Sequence, residues 1–173
     1  ALELNPNDSE VHDGYAEYLA AVGRVDEAVE EAKRARELDP LSLLSNREVA
    51  RMLYYARRHD ASLAELRQIG EMFPDSAVVY NWVDWNYEVQ GMRERAVEAD
   101  LENEQKNGRS TEVLTELRQV YKSAGPPGYW EKAVELARDG RAPLDPYELA
   151  LMYIRLGNKK EAFKWLEKAH QDR

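Results

Sequence analysis

Apolar residues recur along this chain at helical spacing, and the pattern itself repeats. Val11, Tyr15, Tyr18, Leu19 and Val22 fall on one helical face, and Gly23 breaks the run. Val25, Ala28, Val29, Ala32, Ala35 and Leu38 form a second stripe. Asp39-Pro40 closes it, because the residue before a proline is pushed out of helical backbone. Two amphipathic helices thus make one unit. Pro6, Pro40 and Pro74 lie 34 residues apart and end the matching phrases ALELNP, ARELDP and IGEMFP. The turn between the helices repeats at the same interval through Gly23, Arg57, Gly91 and Gly125, and so does the small residue that follows at Ala28, Ser62 and Ala96. Three markers sharing one period predict a stack of helical hairpins, since a single hairpin cannot bury its apolar faces alone.

The period divides the chain into one array over 1–173. Residues 1–8 read as the end of a preceding repeat. Repeats are expected over 9–42, 43–76, 77–110, 111–142 and 143–173. The third carries Asp84, Asp100 and Asn103 in slots that suit small or apolar residues, so its second helix is expected to pack less well. The fourth contains Gly125-Pro126-Pro127-Gly128, a turn enlarged by three residues, and the linker at Ala142-Pro143 is five short. With half a repeat at the start and no polar capping helix at the end, the parent protein is expected to continue in both directions.

These phrases resemble the tetratricopeptide repeat (TPR) family. The first unit carries the resemblance through Tyr15, Ala16, Leu19, Gly23, Ala28, Ala35 and Pro40. The second does so through Val49, Ala50, Leu53, Leu66, Ile69 and Pro74. The third offers Tyr80, Val83, Tyr87, Gly91 and Ala96, and the fifth Tyr147, Leu149, Ala150, Tyr153, Gly157, Ala162, Leu166 and Ala169. The resemblance implies an all-α, right-handed superhelical solenoid of about five antiparallel hairpins. The closing phrases GPPGYWEKAVEL and EAFKWLEKA also resemble TPR tails of bacterial multidomain regulators that carry winged-helix, serine/threonine kinase or cyclase domains.

Family membership would place the first helix of each hairpin along a concave groove. Helical spacing then puts Asp13, Glu17 and Ala21 there from the first unit, and Arg47, Arg51, Tyr54 and Tyr55 from the second. The third contributes Asn81, Trp82, Trp85 and Glu88, the fourth Thr115, Gln119 and Lys122, and the fifth Tyr147, Leu151 and Arg155. Arg, Trp and Tyr are the residue types most enriched at binding hot spots, so Arg47, Arg51, Tyr55, Asn81 and Trp85 are the expected centre of a peptide-binding groove. The competing reading is internal: the tryptophans pack between hairpins, and the arginines pair with Glu48 or Glu88. Family members that clamp a partner's C-terminal carboxylate use cationic and amide residues in the first repeat. Asp13 and Glu17 occupy those places here and would repel it.

Composition narrows the options. The net charge is −9, which argues against nucleic acid and anionic lipid as partners. It is unevenly spread: Ser9 to Ser42 has net −5 and Pro143 to Arg173 net +1. There is no cysteine, no apolar run long enough for a membrane span and no signal peptide, so the expected setting is cytoplasmic. His12, His59 and His170 lie in separate repeats with no metal-ligand spacing, and no phosphate-binding loop or nucleophile elbow occurs. No cofactor is expected. The function expected is that of a non-enzymatic module binding a protein or peptide partner. Self-association of the parent protein is the alternative, and catalysis on a helical scaffold a remote one.

Overall fold

The computed structural model describes residues 5–74, 76 and 80–172, with the side chains of residues 80 and 81 left aside. Every regular element among them is an α-helix: α1 (Ser9–Ala21), α2 (Val25–Leu38), α3 (Leu43–Tyr55), α4 (His59–Met72), α5 (Tyr80–Val89), α6 (Arg93–Lys106), α7 (Thr111–Arg138), α8 (Pro146–Arg155) and α9 (Lys159–Gln171). Two compact units are present, Ala1–Asp100 and Leu101–Arg173.

Local chemistry starts and stops the helices where the 34-residue markers fall. Asp8, Ser42 and Ser110 each accept backbone N–H groups of the following first turn, and Asp145 with Glu148 forms a reciprocal capping box. The bend between α3 and α4 is unusual. The other hairpins turn on glycines with positive φ, but here Arg57 adopts φ 58°. That is a left-handed conformation which crowds any residue bearing a Cβ.

In the first unit the core joins three helices. Ala16 and Leu19 of α1 meet Ala28, Val29 and Ala32 of α2 and Val49, Met52 and Leu53 of α3. Alanines let the helices approach, and α3 covers the face that the first hairpin leaves open. A second cluster gathers Ala50, Leu66 and Ile69, with Leu43, Phe73, Trp82 and Val83 against it. Asp84, Asp100 and Asn103 are buried, so the polar residues in the third repeat sit inside the packing and not outside it.

The repeat also conserves a polar socket while changing its occupants. His12 and Asn46 stand 34 positions apart. His12 Nε2 lies 3.0 Å from the Pro6 carbonyl oxygen, and Asn46 Nδ2 donates to the Pro40 carbonyl at 2.9 Å. The neighbouring carboxylates, Glu31 and Glu65, are likewise 34 apart. His12 Nδ1 pairs with Glu31 at 2.6 Å, whereas Glu65 is paired at 2.6 Å with Arg36. With acceptors at both ring nitrogens, the protonated form of His12 is favoured. Burial opposes that charge, but the Pro6 carbonyl and the Glu31 carboxylate outweigh it and hold the imidazole above its ordinary pKa.

In the second unit the expected enlarged turn takes another form. α7 runs from Thr111 to Arg138 with one break at Gly125, where φ is 65° and ψ is −164°. Pro126 and Pro127 open the segment beyond the break, where a missing N–H leaves no intrahelical bond unmade. The extra residues are therefore helical. Gly128 follows because nothing larger fits: a Cβ there would stand 2.4 Å from the Ala124 Cβ. Tyr129 and Trp130 are then buried, and the Arg155 guanidinium lies 4.2 Å from the centre of the Trp130 ring. Val134 of α7, Tyr153 of α8 and Ala162 of α9 close this core.

Candidate functional site

The expected groove residues of the second and third repeats meet in the first unit, where they form a charged part and an aromatic part. The charged part lies between α1 and α3. Glu48, only 1% exposed, sits between Arg47 (3.3 Å) and Arg51 (2.5 Å), and Arg51 also pairs with Glu17. Beside them Ser45 Oγ donates to Asp13 Oδ2 at 2.8 Å. Burial pushes the carboxyls of Glu48 and Asp13 up, against the lowering effect of the two guanidiniums and the serine. Buried charges are costly unless paired, and Arg51 ties the buried Glu48 on α3 to Glu17 on α1. Arg47 Nε and Arg51 Nε are buried without an acceptor among the described residues.

The aromatic part lies between α3 and α5. Tyr54 meets Trp82 edge-on with ring centres 5.5 Å apart, Tyr55 meets Trp82 at 6.1 Å, and Trp82 meets Trp85 at 4.9 Å. Trp82 also backs onto the Ala50–Leu66–Ile69 cluster and so belongs to the packing. Trp85 is half-buried and outside that cluster, and Tyr55 is 45% exposed. A ring system held by its neighbours yet partly open offers contact area with little ordering cost.

Next to these rings a cleft of about 380 Å³ opens, lined by Tyr54, Tyr55, Arg57, His59 and Val89. One lining residue, His59, is tied to a buried relay. Asn86 donates through Nδ2 to Ser62 Oγ (3.0 Å) and to the Trp82 carbonyl (2.7 Å), while Ser62 Oγ donates to the Ala50 carbonyl (2.8 Å). With both amide hydrogens used, Asn86 Oδ1 is an acceptor and receives His59 Nδ1–H at 3.2 Å. Nε2 is the second polar atom of the His59 ring.

Of the other expected groove residues, Glu88 is half-buried on α5, and the side chain of Asn81 falls outside the described residues. Gln119 and Lys122 are exposed on α7, in the second unit. The competing reading, in which the arginines pair with Glu48, describes this contact, but spacing along the chain did not show that Glu48 is the most deeply buried charge of the set. Spacing also missed the Asn86–His59 relay. A signal existed for Arg57, the single arginine in a column of turn glycines. Among the described residues no cluster of three or more His, Asp or Glu could hold a metal ion, and no helix is long and apolar enough to cross a membrane.

No family model matches the sequence, and no curated protein matches it. Solved structures do share its architecture. YrrB, described as a TPR protein with an unusual peptide-binding site, is 14% identical, with 98% of this chain and 88% of that one aligned at a TM-score of 0.55. The chain has the tetratricopeptide-repeat fold. This TPR fold aligns over 96% of its length with 34% of a chain in the APC/C hetero-tetramer Cut9–Hcn1, at 13% identity and a TM-score of 0.64. It aligns over the same share with 37% of yeast Tom70, at 18% identity and a TM-score of 0.58.

Proposed function

We propose that this TPR array is a protein-interaction module that binds a peptide or an extended segment of a partner protein on the α3–α5 face. The observation that carries the reading is the half-open aromatic group, Tyr55 and Trp85 over Trp82 and Tyr54, beside a cleft wide enough for a side chain. Large flat anchors on rigid helices are what hot spots use. That YrrB is described with a peptide-binding site supports the same use of this fold. The likeness of the closing phrases to tails of bacterial regulators supports placing the module within a larger signalling or regulatory protein.

The charged part of the site refines how such a segment would be held. Arg47 and Arg51 already face Glu48 and Glu17, so they are poor forks for a partner's carboxylate. Affinity is assigned to the rings, with the arginines keeping α3 in position. The test is selection of binders from a random peptide library, followed by affinity measurement on substituted chains. Trp85→Ala should cost about 2 kcal/mol or more, with helical content unchanged. A loss within about 0.5 kcal/mol for Trp85→Ala and Tyr55→Ala alike rules the site out.

A further inference from the structure

One residue in the cleft is in a place that folding alone does not favour. Arg57 occupies the turn position that Gly23, Gly91, Gly125 and Gly157 hold in the other hairpins, and it takes φ 58° there. Strain of this kind persists where something other than local stability retains the residue. Its side chain lines the cleft beside Tyr54, Tyr55, His59 and Val89. Other arginines of α2 to α4 are paired: Arg51 with Glu17 and Glu48, Arg58 with Asp26, and Arg36 with Glu65. Arg57 makes no ion pair with any described residue. The turn therefore presents an open guanidinium at the edge of an apolar recess, on a chain that is otherwise strongly acidic.

We infer that this turn-side cleft is a specificity pocket for an apolar or aromatic side chain flanked by a carboxylate. The ring faces of Tyr54 and Tyr55 and the exposed Val89 would take the side chain. The Arg57 guanidinium can fork onto the adjoining carboxylate. His59, held by Asn86 through Nδ1, keeps Nε2 for a polar backbone group of the same segment. The inference rests on reading the α3–α5 face as a binding surface, and it adds which segment is chosen. It places the anion at the hairpin turn, away from Arg47 and Arg51.

Two capped tripeptides of equal shape provide the probe: acetyl-Glu-Phe-Glu-amide and acetyl-Gln-Phe-Gln-amide, titrated into the ¹⁵N-labelled chain. Amide shifts should move at Tyr55, His59 and Val89, and the acidic peptide should bind about fivefold tighter, the size expected of an exposed charge pair. Arg57→Gly relieves the backbone and removes the cation with its side chain, so it should fold at least as well and lose the preference. Arg57→Lys should keep part of it. Equal binding of the two peptides, a preference that survives Arg57→Gly, or shifts confined to residues outside the cleft would overturn the inference. The reading of the face itself is separable. If library-selected peptides lose affinity on Trp85→Ala while neither tripeptide moves His59 or Val89, the binding face stands and the pocket falls. If Arg57→Gly abolishes the preference while Trp85→Ala changes nothing, the pocket stands without the wider face.

Discussion

Replacing Gly128 by alanine sets two well-known effects against each other. Alanine is the better helix former, and in an unobstructed helix the change would gain about 1 kcal/mol. At this site the new Cβ would stand 2.4 Å from the Ala124 Cβ and 3.3 Å from the Val120 Cγ1. Carbon atoms prefer about 3.5–4.0 Å, so the first contact overlaps by more than 1 Å. Val120 can rotate aside, but the Ala124 Cβ is fixed to its backbone, and relief requires the two segments of α7 to shift at the Gly125 break. Overpacking of that kind costs about 1–3 kcal/mol, and with a contact this short it should outweigh the propensity gain, for a net loss of up to about 2 kcal/mol. Urea denaturation followed by tryptophan fluorescence reads the change, because Trp130 lies two residues away and is 2% exposed. Repeat arrays need not unfold in one step, so hydrogen exchange of the α7 and α8 amides should accompany it. Adding Ala124→Gly removes the opposing methyl group and should recover much of the loss, with a coupling of about 1 kcal/mol or more. If Gly128→Ala alone stabilises the chain, or if the two changes simply add, the steric account of this break is wrong.

The remaining expectations concern charge and strain. His12 has a raised folded-state pKa, so its contribution is complete below the unfolded value near 6.5 and fades as pH rises through the folded one. Melting temperature should therefore fall from pH 6 towards pH 8. His12→Asn, which copies Asn46, should flatten that slope; an unchanged slope refutes the pairing. Glu116 is held down to about 2 by hydrogen bonds from Arg141 and Lys132, so its contribution is present above about pH 4.5 and lost as pH falls towards 2. Glu116→Gln should remove that part of the acid response, read as amide exchange in α7 between those limits. Arg57→Gly should raise stability by about 0.5–1 kcal/mol by removing a left-handed side-chain residue, partly offset by the greater freedom of glycine in the unfolded chain. A loss of stability would mean that Arg57 makes a contact worth more than its strain.

The fold was legible because its signal is redundant. Pro40, the turn column and Ala28 each repeat the period, and the small residues at Ala28, Ala35 and Ala50 are fully buried where helices approach. The placement of these side chains on α3 and α5 was legible, and pairing of the arginines with Glu48 was one of two readings, but the link to Glu17 was not foreseen. Whether Arg51 is open or committed depends on Glu17 from a neighbouring helix, at a distance set by side-chain rotamers and helix packing. The same holds for His12. Nothing in its spacing marks it apart from the other histidines until Pro6 and Glu31 are seen on either side of the ring. The second helix of the third repeat was expected to pack less well on account of Asp100 and Asn103; both are buried, and polar burial turns on partners that a linear pattern does not display.

The bonds that tie these hairpins together are short in reach. Arg51 to Glu17 spans 34 positions, Ser45 to Asp13 spans 32 and Arg36 to Glu65 spans 29. Each link thus reaches at most one period along the chain. Under a pulling force applied to its two ends, such a molecule should yield as a zipper does, tooth by tooth. Each released period of 34 residues would pay out about 110–120 Å of contour. A partner that grips α3 and α5 together would fasten two adjacent teeth. Its arrival should be felt as a raised force at that step alone.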